Sequence, residues 1–384
     1  MTTAASVPVT IDDPTNVAIL AVSEDRLQGF QRDPFGEIAR WSGVERALVL
    51  GRVRAMLEAG TIRRVRQTMI TTSLATGSLA AWQVPEDRLS EAFDFMFEQD
   101  PFSGHVVIRT TDSVTAGSRY RLWTTLKVPP QFSIGAHARY LAERVGAEAY
   151  RLMPAKKLFA LGVGHTRRRT LEPGARTEEL GRVVDTEVIP LTDREWVVME
   201  ALKREFEPNE LTDDLWTARA AEAGVSLQDF YATADALEAK GVVGRFSTFL
   251  EHVKAVAGGQ RVTRYNALFH WEVPAGREID AGREVGRHEI MTHAYWREGG
   301  PEFRNVNVMG VAHGTERDLI LAHKAAIDAH LEQAGIRVGY TNVFWGGRSE
   351  IKPSEISPLA YVRWCESVGI DPETMRVDAA GVSA

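Results

Sequence analysis

The sequence predicts an α+β fold: a tandem duplication of a winged helix-turn-helix followed by a ferredoxin-like βαββαβ domain, a pseudo-dimer in one chain. Three repeated features carry this reading. A helix end, a glycine and a β-branched strand start occur at Leu57-Glu58-Ala59-Gly60-Thr61-Ile62 and again at Leu237-Glu238-Ala239-Lys240-Gly241-Val242-Val243. Trp82-Gln83-Val84-Pro85 is matched by Trp271-Glu272-Val273-Pro274, each after an alternating apolar stretch and before an amphipathic segment. Two short strands carry a histidine with an arginine four residues later, His105 with Arg109 and His293 with Arg297. The period of two in a strand puts each such pair on one face.

Taken in order, residues 1–15 lack a basic start or an apolar run and read as a loose tail rather than a secretory signal. Residues 34–39 and 43–48 have the turn-and-second-helix pattern of a helix-turn-helix, with a wing expected after it. Strands are expected at 78–84, 104–110 and 120–128, with a covering helix at 137–145. Residues 166–182 are charged and turn-rich and read as a linker. The second helical set starts at Thr192, an N-cap residue, and runs through Trp196 and Leu215 to Leu237. Strands follow at 261–273, 289–296 and 306–313, with a helix at 322–333. The domains are then 1–68 (tail and first winged helix), 69–165 (first ferredoxin-like domain), 166–190 (linker), 191–257 (second winged helix) and 258–384 (second ferredoxin-like domain with a C-terminal extension). Such a duplication gives one chain the pseudo-twofold interface that a homodimer builds from two.

Composition narrows the function. Over 384 residues, 44% hydrophobic and 25% charged is ordinary for a globular protein, and no run of about 18 apolar residues reads as a membrane span. The one cysteine, Cys365, excludes an internal disulfide, an iron–sulfur cluster or a cysteine zinc site, and fits a cytoplasmic location. A formal charge of -7 exerts no general pull on phosphate. Arg46, Arg52, Arg54, Arg63, Arg64 and Arg66 surround the first recognition helix and wing, whereas the second head, from Ser226 to Asp235, is acidic and aromatic. One basic and one acidic head make a poor operator reader, so DNA binding is not expected.

Several segments resemble one branch of the Lrp/AsnC group, the siroheme decarboxylases. They are Arg264-Tyr265-Asn266-Ala267-Leu268 before Trp271, the Thr-His strand at His293, and the run from Asn307 to His313 and Gly314. In the first half they are His105, Tyr120-x-Leu122-Trp123-x-Thr125-Leu126, Arg151-Leu152-x-Pro154 and residues 158–163. The resemblance spans most of residues 30–345. It departs at Arg121, where the family usually has asparagine, and at Val306, where it usually has tyrosine. Each half thus keeps part of the motif, which implies a single working site per fused pair or a shifted substrate. Residues 342–353 lie outside the pattern and stay unassigned.

The resemblance implies a lyase that removes carbon dioxide from acetate side chains of siroheme or a related tetrapyrrole, in haem or haem d1 formation. The alternative from another class is an Lrp/AsnC-type DNA-binding regulator that senses a small molecule or haem. Arginine's planar fork suits carboxylates, which makes Arg109, Arg121, Arg264, Arg297 and Arg304 candidate anchors. The reacting acetate itself should face neutral groups, because a firm ion pair is lost as charge moves into the ring. Tyr120, Tyr295, Asn266, Asn307 and His270 are further candidate contacts. A proton donor with a pKa near neutrality points to histidine, with His105, His293 and His313 as candidates. Which of them is the acid stays open, and a histidine could instead ligate the siroheme iron. No cofactor is expected, since that iron is part of the substrate, and no metal site of the protein's own. The expected partner is the tetrapyrrole, without a membrane, in an internal pseudo-dimer whose further self-association is open. His137, His165, His252, His288, His323 and His330 are expected at the surface, and Trp82 and Trp271 in packing roles.

Overall fold

The structure is a computed structural model describing residues 7–70, 74–161, 171–186, 188–250 and 264–377. The chain divides into two compact units, one of residues 1–71 and 189–262, the other of 72–188 and 263–384.

In the first unit, each half supplies three helices and one strand. These are α1 (Pro14–Ser23), α2 (Pro34–Ser42), α3 (Arg46–Glu58) and β1 (Ile62–Met69), then α6 (Asp193–Lys203), α7 (Trp216–Glu222), α8 (Leu227–Ala239) and β7 (Val243–Leu250). Local chemistry explains their limits. Asp13 and Asp33 cap α1 and α2, each ahead of a proline at the first helical position. Thr192 and Glu195 close a reciprocal capping box on α6. The paired helix ends terminate at Gly60 and Gly241, with φ of 75° and 71°, values that glycine adopts without strain. The expected wing takes another form among the described residues. Strand β1 does not fold back within its own half but pairs antiparallel with β7, Val65 opposite Thr248.

The second unit holds β2 (Thr76–Gln83), α4 (Leu89–Glu98), β3 (Ser103–Thr110), β4 (Leu122–Val128), α5 (Ile134–Val145), β5 (Ala149–Leu161) and the short β6 (Val184–Asp185). The second half adds β8 (Tyr265–Glu272), α9 (Glu278–Gly286), β9 (Met291–Arg297), β10 (Val308–Gly314), α10 (Arg317–Gln333), β11 (Tyr340–Ile351) and α11 (Pro358–Ser367). The sheet order is β2-β4-β3-β11-β8-β10-β9-β5, with β6 beyond, and β5 also pairs with β2. Eight antiparallel strands therefore close into a barrel, joined between halves at β3–β11 and β5–β9.

Alternation sorts the side chains. Trp82, Val106, Leu122 and Leu126 point out, into a core beneath α4 and α5. Phe269, Trp271, Ala294 and Val308 do the same beneath α9 and α10. Both tryptophans are fully buried and hydrogen-bonded, Trp82 Nε1 to Thr124 Oγ1 at 3.1 Å and Trp271 Nε1 to Asp328 Oδ1 at 2.6 Å, which makes them packing residues. Inside the barrel lie Ala81, Val107, Trp123, Met153, Leu268, Met309 and Phe344, with Tyr120, Phe303 and Val306 in the same cluster. In the outer core, Gly282 of α9 permits the close approach of Phe159, since a Cβ there would meet its ring at 2.0 Å.

Four histidines expected at the surface are buried instead: His137, His288, His323 and His330. The cause is a pair of straps that single-half periodicity does not reveal. Residues 171–181 cross onto α9, where the Thr177 amide donates to the Arg287 carbonyl and the Gly181 amide to the Arg283 carbonyl, both at 3.0 Å. The chain after β11 crosses onto the first half and inserts Tyr361, Trp364 and Cys365 of α11 into its core. His165 and His252 lie outside the described residues.

Candidate active site

Register fixes the inward row. Val107 lies opposite Trp123 on β4, and Tyr295 opposite Met309 on β10, so β3 and β9 hold equivalent places in the two halves. His105, Val107 and Arg109 thus match His293, Tyr295 and Arg297. All six face into the barrel, because the alternate residues Val106 and Ala294 belong to the outer cores. Asn266, Leu268 and His270 of β8 line the same interior, alternating with Ala267, Phe269 and Trp271 of the outer core.

The two arginines are the main electrostatic feature. Arg109 is 3% exposed; it donates to the Phe344 carbonyl and to Asn266 Oδ1, each at 3.2 Å. Arg297 donates to the Met153 carbonyl and stands 4.4 Å from the centre of the Tyr295 ring. Neither has a carboxylate within ion-pair distance among the described residues. Burial alone pushes the Arg109 guanidinium down to about 9, and it also lowers that of Arg297, with Tyr295 opposing. A buried cation without a counter-charge is costly, and an anionic ligand would relieve both.

Two of the imidazoles, His105 and His270, are held neutral. His105 Nε2 lies 2.8 Å from Ser349 Oγ, and its pKa is pushed down to about 3 by burial, then by the charges of Arg109 and His293. His270 is brought to about 3 by burial, then by Arg109 and Lys324. The His293 ring is parallel to that of Tyr295 within 5°, centres 6.0 Å apart. His313 Nδ1 is 3.4 Å from Thr292 Oγ1 near the end of β10.

The remaining sequence candidates lie apart from this row. Arg121 pairs with Glu86 at 2.9 Å. Arg264 is exposed ahead of β8, over Tyr265, and Arg304 is exposed over Tyr340 at 5.0 Å. Asn307 is turned to structure: its side chain clamps the Val273 backbone, accepting from N–H at 2.9 Å and donating to the carbonyl at 2.8 Å. Tyr120 packs on Phe303, ring centres 5.2 Å apart. Ser349 was not singled out from sequence. It belongs to the unassigned segment 342–353, and only the seam of β11 with β3 brings it to His105.

The arrangement offers anchored cations, neutral donors and titratable imidazoles inside one barrel. A model of the AsnC-like ligand binding domain matches residues 74–160. The siroheme decarboxylase of Hydrogenobacter thermophilus (strain DSM 6534 / IAM 12695 / TK-6) is 28% identical over 75% of this chain and 80% of its own length. The siroheme decarboxylase NirDL subunit of Paracoccus pantotrophus is 24% identical over 76% of this chain and 84% of its own. The crystal structure of the siroheme decarboxylase NirDL superposes with a TM-score of 0.66 at 20% identity, covering 93% of this chain and 99% of that one. The same enzyme in co-complex with an iron-uroporphyrin III analogue gives 0.65 at 19% identity, covering 92% and 99%. The chain is a homologue of the siroheme decarboxylases and carries an AsnC-like ligand-binding domain.

Proposed function

We propose that this chain is a siroheme decarboxylase-like carboxy-lyase acting on acetate side chains of siroheme or a close tetrapyrrole relative. The observation that carries the reading is the pair of buried, acid-free arginines, Arg109 and Arg297, on the inward face of the barrel. A carboxylate-rich macrocycle supplies the anions they lack. In the reaction, the bond between an acetate's methylene and carboxylate carbons breaks and carbon dioxide leaves. The electron pair stays on the methylene carbon and spreads into the ring. A proton from an imidazolium, from His105, His293 or His313, then completes the methyl group. The ring is its own electron sink, so we infer no further cofactor. Asn266, Tyr295 and His270 complete the contacts, and Ser349 orients His105.

The finer architecture we read as a duplicated winged helix-turn-helix plus ferredoxin-like domain with the boundaries given above, forming an internal pseudo-dimer. The three-helix sets and the two βαββαβ orders support it. We place the protein in the cytoplasm, in keeping with its single buried cysteine; no helix among the described residues is long and apolar enough to cross a membrane. The regulator alternative loses support in the first unit, where members of the basic cluster are engaged within the unit itself. Arg46 pairs with Asp33 and Asp213, Arg52 with Asp13, and Arg54 donates to the Leu211 carbonyl.

Anaerobic incubation with siroheme, followed by mass spectrometry, tests the reading. Loss of one carbon dioxide mass per reacting acetate is expected. Siroheme bound with a spectral change but recovered intact would make the protein a carrier instead.

A further inference from the structure

Strand β11 departs from a regular ladder where it meets β3. Gly346 stands opposite Arg109, but Ser349 rather than Arg348 stands opposite Val107, a bulge of one extra residue. A slip of one place along a strand exchanges its two faces. In an unbroken ladder Arg348 would enter the barrel opposite Val107, and Ser349 would turn to the outer face with Val106. The bulge reverses this, setting Arg348 outside and Ser349 inside.

Both side chains are engaged where the bulge puts them. Outside, Arg348 lies on α4. Its guanidinium donates to Ser90 Oγ at 3.1 Å, pairs with Asp94, and stands 4.1 Å from the centre of the buried Phe93 ring. A planar fork held by a carboxylate at its edge and a ring at its face has one orientation. Inside, Ser349 Oγ lies 2.8 Å from His105 Nε2. The His105 amide donates to Thr125 Oγ1 at 3.0 Å, which ties down the backbone of the same residue. A hydroxyl can donate to a neutral imidazole and accept from a charged one, so Ser349 can hold the ring in both protonation states. In the other half, β5 carries a matching bulge beside β9, but the residue opposite Tyr295 is Leu158, which has no hydroxyl to offer.

We propose that Ser349 and Arg348 are positioning residues for His105: Arg348 pins the bulge to α4 from outside, and the bulge holds Ser349 on Nε2. This rests on the decarboxylase reading above. With Nε2 engaged, Nδ1 is the nitrogen that serves the substrate. It gives its proton to the methylene carbon once carbon dioxide has left, and the neutral ring keeps its Nε2–H on Ser349.

The test compares the wild type with Ser349→Ala, Ser349→Thr, Arg348→Gln and Arg348→Lys, each checked for folding by its melting temperature. Histidine side chains are labelled with nitrogen-15, and the His105 signals are assigned by their loss in His105→Gln. Without siroheme, the wild type and Ser349→Thr should show one His105 tautomer. Ser349→Ala should show averaging of two, and Arg348→Gln a partial shift that Arg348→Lys reverses. With siroheme under anaerobic conditions, Ser349→Ala should lower kcat about 10- to 100-fold, the scale of a misplaced catalytic group, with KM within about twofold. A wild-type His105 spectrum in Ser349→Ala overturns the proposal, and so does a wild-type kcat despite an altered spectrum. An unaltered spectrum in Arg348→Gln removes Arg348 from it. The spectra need no turnover, which keeps the two readings separable. If the wild type binds siroheme without releasing carbon dioxide, the decarboxylase reading fails while the tautomers still decide whether Ser349 and Arg348 position His105.

Discussion

Burial and the neighbouring charges push the His105 imidazole down to about 3, so it is neutral at neutral pH. A carboxylate nearby favours the charged imidazole, so on the proposed reading a bound macrocycle would charge His105. Titration of siroheme into the protein near pH 7 should take up protons. Calorimetry in two buffers of different ionisation enthalpy checks this, with a buffer-independent heat counting against it. Replacing His105 or His293 by alanine should lower kcat by about 10²- to 10⁴-fold, the usual worth of a general acid, with a smaller effect on Kd. Full turnover in both variants would move the proton donor elsewhere, His313 being next in line.

Among the elements, α11 makes the clearest structural prediction. Its Tyr361 hydroxyl is 3.0 Å from His137 Nδ1, and His137 Nε2 is 3.3 Å from Asp100 Oδ1, all three side chains fully buried. Burial works against the Asp100 carboxylate, yet His137, Ser103 and the Phe102 amide hold its pKa below the ordinary value. Tyr361→Phe should cost about 1 kcal/mol, one hydrogen bond, and Trp364→Ala about 3–5 kcal/mol. Chemical denaturation measures both, and turnover per folded molecule should stay unchanged. These contacts also mark where sequence reading stopped. The helix ends at Gly60 and Gly241, the cap at Thr192 and strands β2, β3, β4, β9 and β10 were legible, because each follows from local chemistry or alternation. The straps and the exchange of β1 with β7 were not, because each depends on a partner segment more than a hundred residues away. For the same reason the equivalence of His105 and His293 was visible in the repeat. The partner of His105 was not, because Ser349 reaches it through a seam, and neither was the burial of His137 by a helix from the far end of the chain.

At the level of the whole molecule, acid should act through the buried histidines. The fold holds His105, His270 and His288 neutral down to about pH 3 to 4, whereas in the unfolded chain each protonates below its ordinary 6.5. Between those limits the unfolded state binds more protons, so their stability contribution is complete above pH 6.5 and declines as the pH falls. The melting temperature should drop from pH 7 to pH 4.5, and His270→Phe should flatten that slope; an unaltered slope would contradict it. The barrel also makes the halves interdependent. Residues 1–187 and 188–384 expressed apart should give no folded monomer, and mixing them should restore native circular dichroism and a one-to-one complex on size exclusion.

The seams carry a consequence for descent. Because Arg109 of the first half donates to Asn266 of the second across the β3–β11 seam, a change in one repeat alters the inward face of its sister. Once two such copies share a reading frame, neither can decay into a spare. Substitutions at positions 109 and 266 should then be selected jointly, as one inherited unit.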